Sequence, residues 1–284
     1  MTKPNLPTAK SLVVCADDYG MTPEVSAGIL QLARSGCISA TSVMSLSASW
    51  PEAAKPLKEV RAQLDVGLHL DFTSHLAMAH GMGASLPAVM LMTLLRLWGQ
   101  AAIERHIEAQ LDLFETHFQA VPDHVDGHQH VQQFPVIRDA LMAVLLRRYG
   151  HAKRPWLRIS RVAKADTDLK SRVIGAMGAN ALEALAEQHG FSHSKHLTGV
   201  YDFHGDAQRY WHHLGHWLQQ VPDQAVLMCH PARGLNPEAP YPEARLWEQE
   251  VFESQRWQAL LQQAQVEVVR GSDFFRRQRP ELAV

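Results

Sequence analysis

Short apolar runs alternate along the chain with longer segments whose apolar residues recur at helical spacing. This alternation predicts strands that alternate with helices, which is typical of a parallel α/β sheet. The predicted strands are residues 12–16, 38–46, 65–70, 124–127, 157–160, 196–201, 225–229 and 266–269. The predicted helices are residues 23–35, 51–62, 86–98, 101–118, 135–149, 168–189, 206–220 and 243–264. Because no internal repeat, low-complexity segment or linker interrupts the pattern, we expect one domain over residues 1–284.

Polar residues stand at the carboxyl ends of most predicted strands. Asp17 and Asp18 follow the first strand, His69 lies near the end of the third, and Asp126 with His128 closes the fourth. The fifth, sixth and seventh strands supply Arg158, Asp202 and His230. Barrel enzymes build their sites at this end of their strands, whereas an open doubly wound sheet concentrates its site at one switch point. The sequence therefore predicts an α/β fold, a distorted (β/α) barrel of seven or eight parallel strands.

Composition narrows the function classes. A length of 284 residues with 46% hydrophobic content suits one barrel of about 250 residues. A net charge of −2 gives no case for a nucleic-acid partner. The longest apolar stretch, residues 86–98, is too short for a membrane span and contains Arg96. The high histidine count of 17 points to a metal or proton-transfer site.

Cysteine usage and the first residues bear on location. Cys15, Cys37 and Cys229 are far apart in sequence, which argues against a disulfide framework and suits a reducing compartment. Cys15 and Cys229 lie in apolar runs and are expected to be small core residues. Residues 1–10 contain no apolar segment of the signal-peptide type, so the expected location is the cytoplasm.

Two motifs place acidic and imidazole groups on early strands. In A-D-D-Y-G, residues 16–20, two adjacent carboxylates leave a buried strand, which is costly unless a cation such as a metal ion compensates them. The alternative is an ordinary turn at a strand end, where Asp and Gly are common. In G-L-H-L, residues 67–70, His69 is either a metal ligand or a hydrogen-bonded core histidine.

Two further motifs add histidines. His128 and His130 form an H-x-H pair, which in an extended segment points both rings the same way, and Asp126 or a carbonyl could orient a ring. A polar loop is the alternative for this segment. His230 leaves an apolar strand and is followed by Pro231, a position that suits a general acid.

The order A-D-D-Y-G, G-L-H-L, D-G-H-Q-H and M-C-H-P-A resembles the YdjC-like carbohydrate deacetylases, which include chito-oligosaccharide and hopanoid-associated deacetylases. The resemblance extends from residue 11 to about residue 273 and includes T-S-V-M-S at 41–45. It implies a barrel of the polysaccharide-deacetylase type that removes N-acetyl groups from an amino sugar or oligosaccharide. It also implies one divalent metal ion, Mg²⁺ or Zn²⁺.

Carried over by motif, the resemblance implies roles for individual residues. Asp18, His69 and His128 would bind the metal, Asp17 would be the general base and His230 the general acid. Many relatives have a further histidine where this chain has Gln132, which cannot titrate near neutrality. Gln132 is therefore not expected to be a catalytic group or a metal ligand, and His130 would orient a neighbouring group or contact substrate.

The implied chemistry is consistent with these residue types. Amide hydrolysis needs an activated water, a stabilised oxyanion and a proton for the departing amine. A divalent metal with three protein ligands keeps coordination positions open. The expected partner is an N-acetylated carbohydrate. Candidate substrate contacts are Arg158, Asp202, residues 75–85, Trp156 and Trp211, although core packing is the commoner role for tryptophan.

Other hypotheses explain less of the sequence. An amidohydrolase usually carries H-x-H after the first strand, and a phosphoesterase needs more cationic groups than Arg158 and Arg233 at strand ends. A sugar-binding barrel without catalysis would have no use for Asp17 beside Asp18. A glycosidase needs two spaced carboxylates, and no glutamate is predicted at a strand end. The apolar helix at 86–97 could be a lid or the face of a homodimer.

Overall fold

The structure is a computed structural model of the chain, and it describes residues 9–150, 153–162 and 177–275. In the described residues eight parallel strands form one sheet: β1 Lys10–Tyr19, β2 Ala40–Val43, β3 Asp65–Leu70, β4 His124–Gly127, β5 Trp156–Leu157, β6 His196–Thr198, β7 Ala225–Cys229 and β8 Val266–Val268. The strand order is β5-β4-β3-β2-β1-β7-β6, and β8 pairs with β1.

Helices follow most of the strands. They are α1 Pro23–Arg34, α2 Trp50–Val60, α3 His75–Ala79, α4 Leu86–Leu94, α5 Gln100–Phe118, α6 Ile137–Tyr149, α7 Ala179–Gln188, α8 Ala207–Gln220, α9 Pro242–Glu253, α10 Gln255–Ala264 and α11 Gly271–Phe274. A 3-10 segment, His128–Gln133, follows β4 directly. Within the described residues, no helix has both the length and the apolar character needed to cross a membrane.

The sheet curls into a nearly closed ring. Its two edge strands approach each other, because Leu157 forms an isolated bridge with His193 and Val162 forms another with Leu197. The amino-terminal half of β1 pairs with β8 at Leu12 and Val268. Seven strands therefore surround the barrel, with an eighth beside β1, which confirms the predicted distorted α/β barrel.

The helices cover the ring with their apolar faces. In α5 the buried residues Ile103, Ile107 and Leu111 follow the helical period, and Phe114 stacks on Trp50 of α2 at a ring distance of 5.7 Å. The strands other than β8 are buried on both faces over most of their length, as expected of a parallel sheet under helices. All three cysteines are buried and free, and the core role predicted for Cys15 and Cys229 is confirmed.

Several predicted strand boundaries were wrong. β1 continues to Tyr19, so Asp17 and Asp18 lie inside the strand rather than after it. The predicted strands at 38–46, 157–160 and 196–201 are observed as β2, β5 and β6, which are shorter. A strand ends where its neighbours stop pairing with it, and the apolar sequence continues beyond that point.

Two predicted helices also differ from the structure. The segment 243–264 forms two helices, because Ser254 is extended at ψ 141° and its hydroxyl accepts from Arg256 N to begin α10. The predicted helix 86–98 ends at Leu94, and Arg96 adopts a left-handed backbone with φ 53°. Residues 168–176 of the predicted helix 168–189 lie outside the described residues.

Candidate active site

A cavity of about 630 Å³ opens at the carboxyl end of the strands. Most of its polar lining comes from the motifs at the strand ends, namely Asp17, Asp18, His69, His128, His130 and His230, and Gln129 and Arg245 add to it. The remaining lining is mostly apolar. The residues that the sequence places at strand ends are thus brought together around one space, as expected at this end of a barrel.

Asp18 lies between two histidine rings on the cavity floor. Its Oδ1 is 3.5 Å from His69 Nε2 and 3.3 Å from His128 Nδ1. This oxygen is buried and accepts no hydrogen bond of good geometry. Each of the three residues offers a ligand atom within 4.8 Å of the others, and one carboxylate with two imidazoles suits a divalent metal ion.

Asp126 fixes the His69 ring. Its Oδ1 is 2.7 Å from His69 Nδ1, which leaves His69 Nε2 directed at Asp18. Burial alone would lower the His69 pKa. The nearby carboxylates, led by Asp126, have the larger effect and raise that pKa to about 9. We expected Asp126 to orient a ring of the H-x-H pair, and it orients His69 instead.

Asp17 is held by a fully buried arginine. Arg158 donates from both terminal nitrogens to the two Asp17 oxygens, at 2.7 and 2.8 Å, and also lies 3.1 Å from Asp126 Oδ2. Burial raises the pKa of Asp17, but the charges of Arg158 and His69, together with the hydrogen bonds from Arg158, outweigh burial and hold that pKa below its usual value. Asp17 is therefore ionised and fixed in orientation at neutral pH.

His230 follows β7 and contacts a buried glutamate. Its backbone N–H donates to Glu248 Oε2, and its Nδ1 lies 4.0 Å from Glu248 Oε1. Nδ1 is buried, so Nε2 is the nitrogen available to the cavity. Burial lowers the His230 pKa to about 4 and raises the Glu248 pKa to about 7. The His230 ring is thus neutral at pH 7 in this state.

The H-x-H segment is not extended, contrary to our prediction. Gln129 and His130 both adopt left-handed backbone, with φ 54° and 63°, within the 3-10 segment. His130 Nδ1 lies 3.0 Å from Ser160 Oγ, which also accepts from Gln132 Nε2. Burial lowers the His130 pKa to about 3. Gln132 is fully buried and also donates to the Arg158 carbonyl, so it supports the loop.

Two buried residues of α9 were missed by sequence reasoning. Arg245 donates to Asp18 Oδ2 at 2.5 Å, and Glu248 holds His230 as described. They are three residues apart and therefore lie on one face of the helix. The signal in the sequence is an Arg and a Glu at helical spacing after the His230 motif, on a helix rather than at a strand end.

Most of the expected substrate contacts lie elsewhere. Arg158 is fully buried beneath the cavity, and Trp156 is fully buried in the core. Asp202 pairs with Arg209 on the surface, and Trp211 lines a separate groove. The segment 75–85, which begins with α3, contributes no residue to the cavity lining.

The cavity walls are apolar and come from two sides. Leu86 and Met90 of α4 form one wall. On the other side Phe203 and Tyr241 stack with ring centroids 4.1 Å apart, and Phe203 meets the His230 ring edge-on. Other residues of α4 and of the segment after it, Leu91, Leu94, Leu95 and Leu97, are exposed, and the role of this segment as a lid or as the face of a homodimer stays a prediction.

Comparison with known proteins identifies the family. Residues 11–263 match the model of the YdjC-like protein family. The chain belongs to this family. A chitooligosaccharide deacetylase from Enterobacter sp. (strain 638) is 28% identical over 56% of this chain and 63% of its own length. The corresponding Yersinia enterocolitica protein is 31% identical over 54% and 60%. The alignments thus span about 60% of these two relatives.

A third relative is matched over more of its length, and solved structures share the fold. The Yersinia pestis (strain Pestoides F) chitooligosaccharide deacetylase is 26% identical over 78% of this chain and 82% of its own. A proposed cellobiose-phosphate cleavage protein from Enterococcus faecalis superposes with TM-score 0.71 at 18% identity, covering 94% and 100% of the chains. A cobalt-bound family 4 acetyl xylan esterase from Clostridium thermocellum gives TM-score 0.50 at 10% identity, covering 94% and 91%. These likenesses confirm the barrel fold of the polysaccharide-deacetylase type.

Proposed function

We propose that this protein is a metal-dependent carbohydrate deacetylase that hydrolyses the N-acetyl amide of an amino sugar or oligosaccharide. The observation that carries the proposal is the Asp18 oxygen enclosed by His69 and His128, with Asp17 and His230 on the same cavity. The names of the chitooligosaccharide deacetylases in its family support this choice of substrate.

The residues present fit a divalent metal ion. A buried carboxylate oxygen without a donor is costly unless a cation binds it, and Asp18 Oδ1 is such an oxygen. Asp18, His69 and His128 would hold the ion. A carboxylate suits Mg²⁺ and imidazoles suit Zn²⁺, so this set of ligands is compatible with either metal. When bound, the metal would polarise the acetyl carbonyl and lower the pKa of a water molecule.

Asp17 would accept a proton from the attacking water. The Arg158 pair keeps its carboxylate ionised and in one orientation, so no rearrangement is needed when the proton arrives. The Arg158 guanidinium also weakens Asp17 as a base in the free protein, since it favours the ionised form.

His230 would deliver a proton to the departing amine through Nε2. Its ring is neutral at pH 7 in the substrate-free protein, so it must take up that proton during the reaction. Glu248, which lies beside Nδ1, would stabilise the charged ring while it holds the proton. A neutral amine leaves far more readily than an amide anion, which is why the reaction needs this group.

The cavity walls fit a sugar better than a phosphoester. The stacked Phe203 and Tyr241 rings offer an apolar face, which can pack against the C–H face of a sugar ring. Among the described residues that line the cavity, Arg245 is the only arginine or lysine, and Asp18 already engages it. A phosphate group would need cationic donors that are not already paired.

Acetate release tests the proposal. Purified protein would be assayed with a panel of N-acetylated mono- and oligosaccharides as isolated, after chelation, and after addition of Mg²⁺, Zn²⁺ or Co²⁺. We expect acetate and free amine in equal amounts, loss after chelation and recovery with metal. Phosphorylated sugars without N-acetyl groups serve as the control substrate. Phosphate release from that control, with no acetate from any sugar, would overturn the assignment.

A further inference from the structure

Arg245 is a buried cation at the edge of the candidate metal site. Only 2% of its surface is exposed. Its Nε donates to the Pro240 carbonyl at 2.9 Å, and its NH2 group donates to Asp18 Oδ2 at 2.5 Å. Because two ends of the guanidinium are hydrogen-bonded, the side chain has little freedom to move away from Asp18.

As a result, the two carboxylate oxygens of Asp18 have different hydrogen-bond partners. Oδ2 is occupied by Arg245, whereas Oδ1 faces His69 and His128 without a donor. The backbone of Asp18 is also left-handed, with φ 74°, a conformation that costs energy for a residue other than glycine and persists only where the surrounding structure holds it. The carboxylate is thus held so that a single oxygen points at the ligand cluster.

We propose that Arg245 is a positioning residue that restricts Asp18 to one metal-bound oxygen. This inference rests on the proposed metal-dependent function. A carboxylate can bind a divalent ion through one oxygen or through both. If Asp18 used both, it would occupy a coordination position that water or the acetyl oxygen needs. By holding Oδ2, Arg245 keeps that position open.

A simpler role for Arg245 would be to neutralise a buried carboxylate. The chain contains such a pair at the other end of the barrel, where Arg270 donates to Asp65 Oδ1 at 3.0 Å. If Arg245 did no more than this, its loss would lower the stability of the fold and weaken metal binding together. The positioning role predicts a different result, because metal binding would survive while the way Asp18 binds would change.

The test uses the Co²⁺-loaded protein, since the visible spectrum of Co²⁺ reports its coordination number. In Arg245→Met we expect the Co²⁺ dissociation constant to stay within about tenfold of wild type, because loss of the positioning contact is offset by loss of a repelling cation. The visible absorption should weaken as Asp18 adds a second oxygen. For acetate release, kcat should fall by about 10–100-fold with little change in KM.

Two further variants and a control complete the design. Arg245→Lys keeps a cation near Oδ2 and should restore most of the wild-type spectrum. Arg245→Gln removes the charge while keeping a polar end, so it replaces the Met variant if that protein does not fold, with the same expected spectrum. Arg270→Met is the matched control, which should lower thermal stability and leave both spectrum and kcat unchanged.

The outcomes separate the inference from the function on which it rests. A wild-type spectrum and kcat in both uncharged variants would overturn the positioning role. Loss of Co²⁺ binding by more than about 100-fold would also overturn it, because Arg245 would then serve only to stabilise the Asp18 carboxylate. Failure of the proposed function would appear earlier, as no acetate release from the wild-type Co²⁺ protein.

Discussion

The two ends of the barrel each bury an aspartate, and they satisfy it differently. At the amino-terminal end, both oxygens of Asp65 accept hydrogen bonds, from Arg270, Trp156 and Ser272. At the carboxyl end, Asp18 has one oxygen paired with Arg245 and another with no donor. A carboxylate whose two oxygens are both hydrogen-bonded stabilises the fold, whereas a carboxylate with one unpaired oxygen can bind a ligand.

The largest expected effect comes from removing the Asp18 carboxylate, whose Oδ1 is the unpaired oxygen. Asp18→Ala should lose the metal and reduce acetate release by more than about 10⁴-fold, because it removes the charge that holds the ion. His69→Ala and His128→Ala should lower metal content and activity in parallel, and His130→Ala should do less. Elemental analysis of dialysed protein measures the occupancy. Full occupancy in Asp18→Ala would show that the ion is bound elsewhere.

The adjacent carboxylate should behave differently. Asp17→Asn keeps the shape of the side chain. The variant should keep the metal, because Asp17 pairs with Arg158 and is not one of the three proposed ligands. Its kcat should fall by roughly 10²–10⁴-fold, the usual contribution of a positioned base. Steady-state kinetics on metal-loaded protein measure this. A raised KM with unchanged kcat would make Asp17 a substrate-binding residue.

The paired aspartate should matter for stability alone. Asp65→Asn leaves the Arg270 cation without its partner and replaces an acceptor oxygen with an NH₂ group. The free energy of unfolding should fall by about 3–5 kcal/mol, as for other broken buried pairs. Denaturant unfolding measures the loss, and kcat at a temperature where the variant is folded should equal wild type. A large fall in the kcat of folded Asp65→Asn would contradict the prediction that Asp65 contributes to stability alone.

A third carboxylate gives a pH-dependent effect. Burial raises the Glu248 pKa from 4.5 to about 7, so the folded protein keeps a proton that the unfolded chain releases. The free energy of unfolding therefore falls as pH rises from about 4.5 to 7 and remains lower above pH 7. Glu248→Gln removes this contribution, which amounts to about 3 kcal/mol across that range. Chemical unfolding at pH 4.5 and 8 measures the difference, and equal slopes in both proteins would refute it.

The smallest expected effect comes from the stacked Phe203 and Tyr241 rings in the cavity wall. Tyr241→Ala removes an exposed ring that stacks on Phe203, so it should raise KM for an N-acetylated oligosaccharide by about 3–10-fold with kcat nearly unchanged. Trp211→Ala is the matched control, because Trp211 lines a groove outside the active-site cavity. An equal rise of KM in both variants would mean that Tyr241 has no special contact with substrate.

The sequence was sufficient for the barrel and for the residues at its strand ends. Asp17, Asp18, His69, His128 and His230 meet around one cavity because parallel strands bring their carboxyl ends together. Their roles stay predictions, as do the single domain, the cytoplasmic location and the homodimer. The family assignment and fold are confirmed by the match over residues 11–263 and by the superposition with the Enterococcus faecalis protein.

Other parts of the site depend on contacts that no local pattern specifies. Arg245 reaches Asp18 across 227 positions of the chain. The H-x-H spacing allowed an extended segment, but the left-handed backbone of Gln129 and His130 is stabilised by tertiary contacts such as His130 with Ser160. Arg158 was expected to touch substrate because it lies at a strand end, and the pairing with Asp17 that buries it appears only when the ring closes.

The pairing of β1 has a consequence for synthesis on the ribosome. β1 carries Asp17 and Asp18, and it pairs with β7 and β8 as well as with β2. Two of its three neighbours are thus translated more than 200 residues later. Such distant pairing delays folding, so the nascent chain should carry an unfinished site until residues near 268 have left the exit tunnel. A ribosome stalled before that point should hold a chain that does not retain the metal.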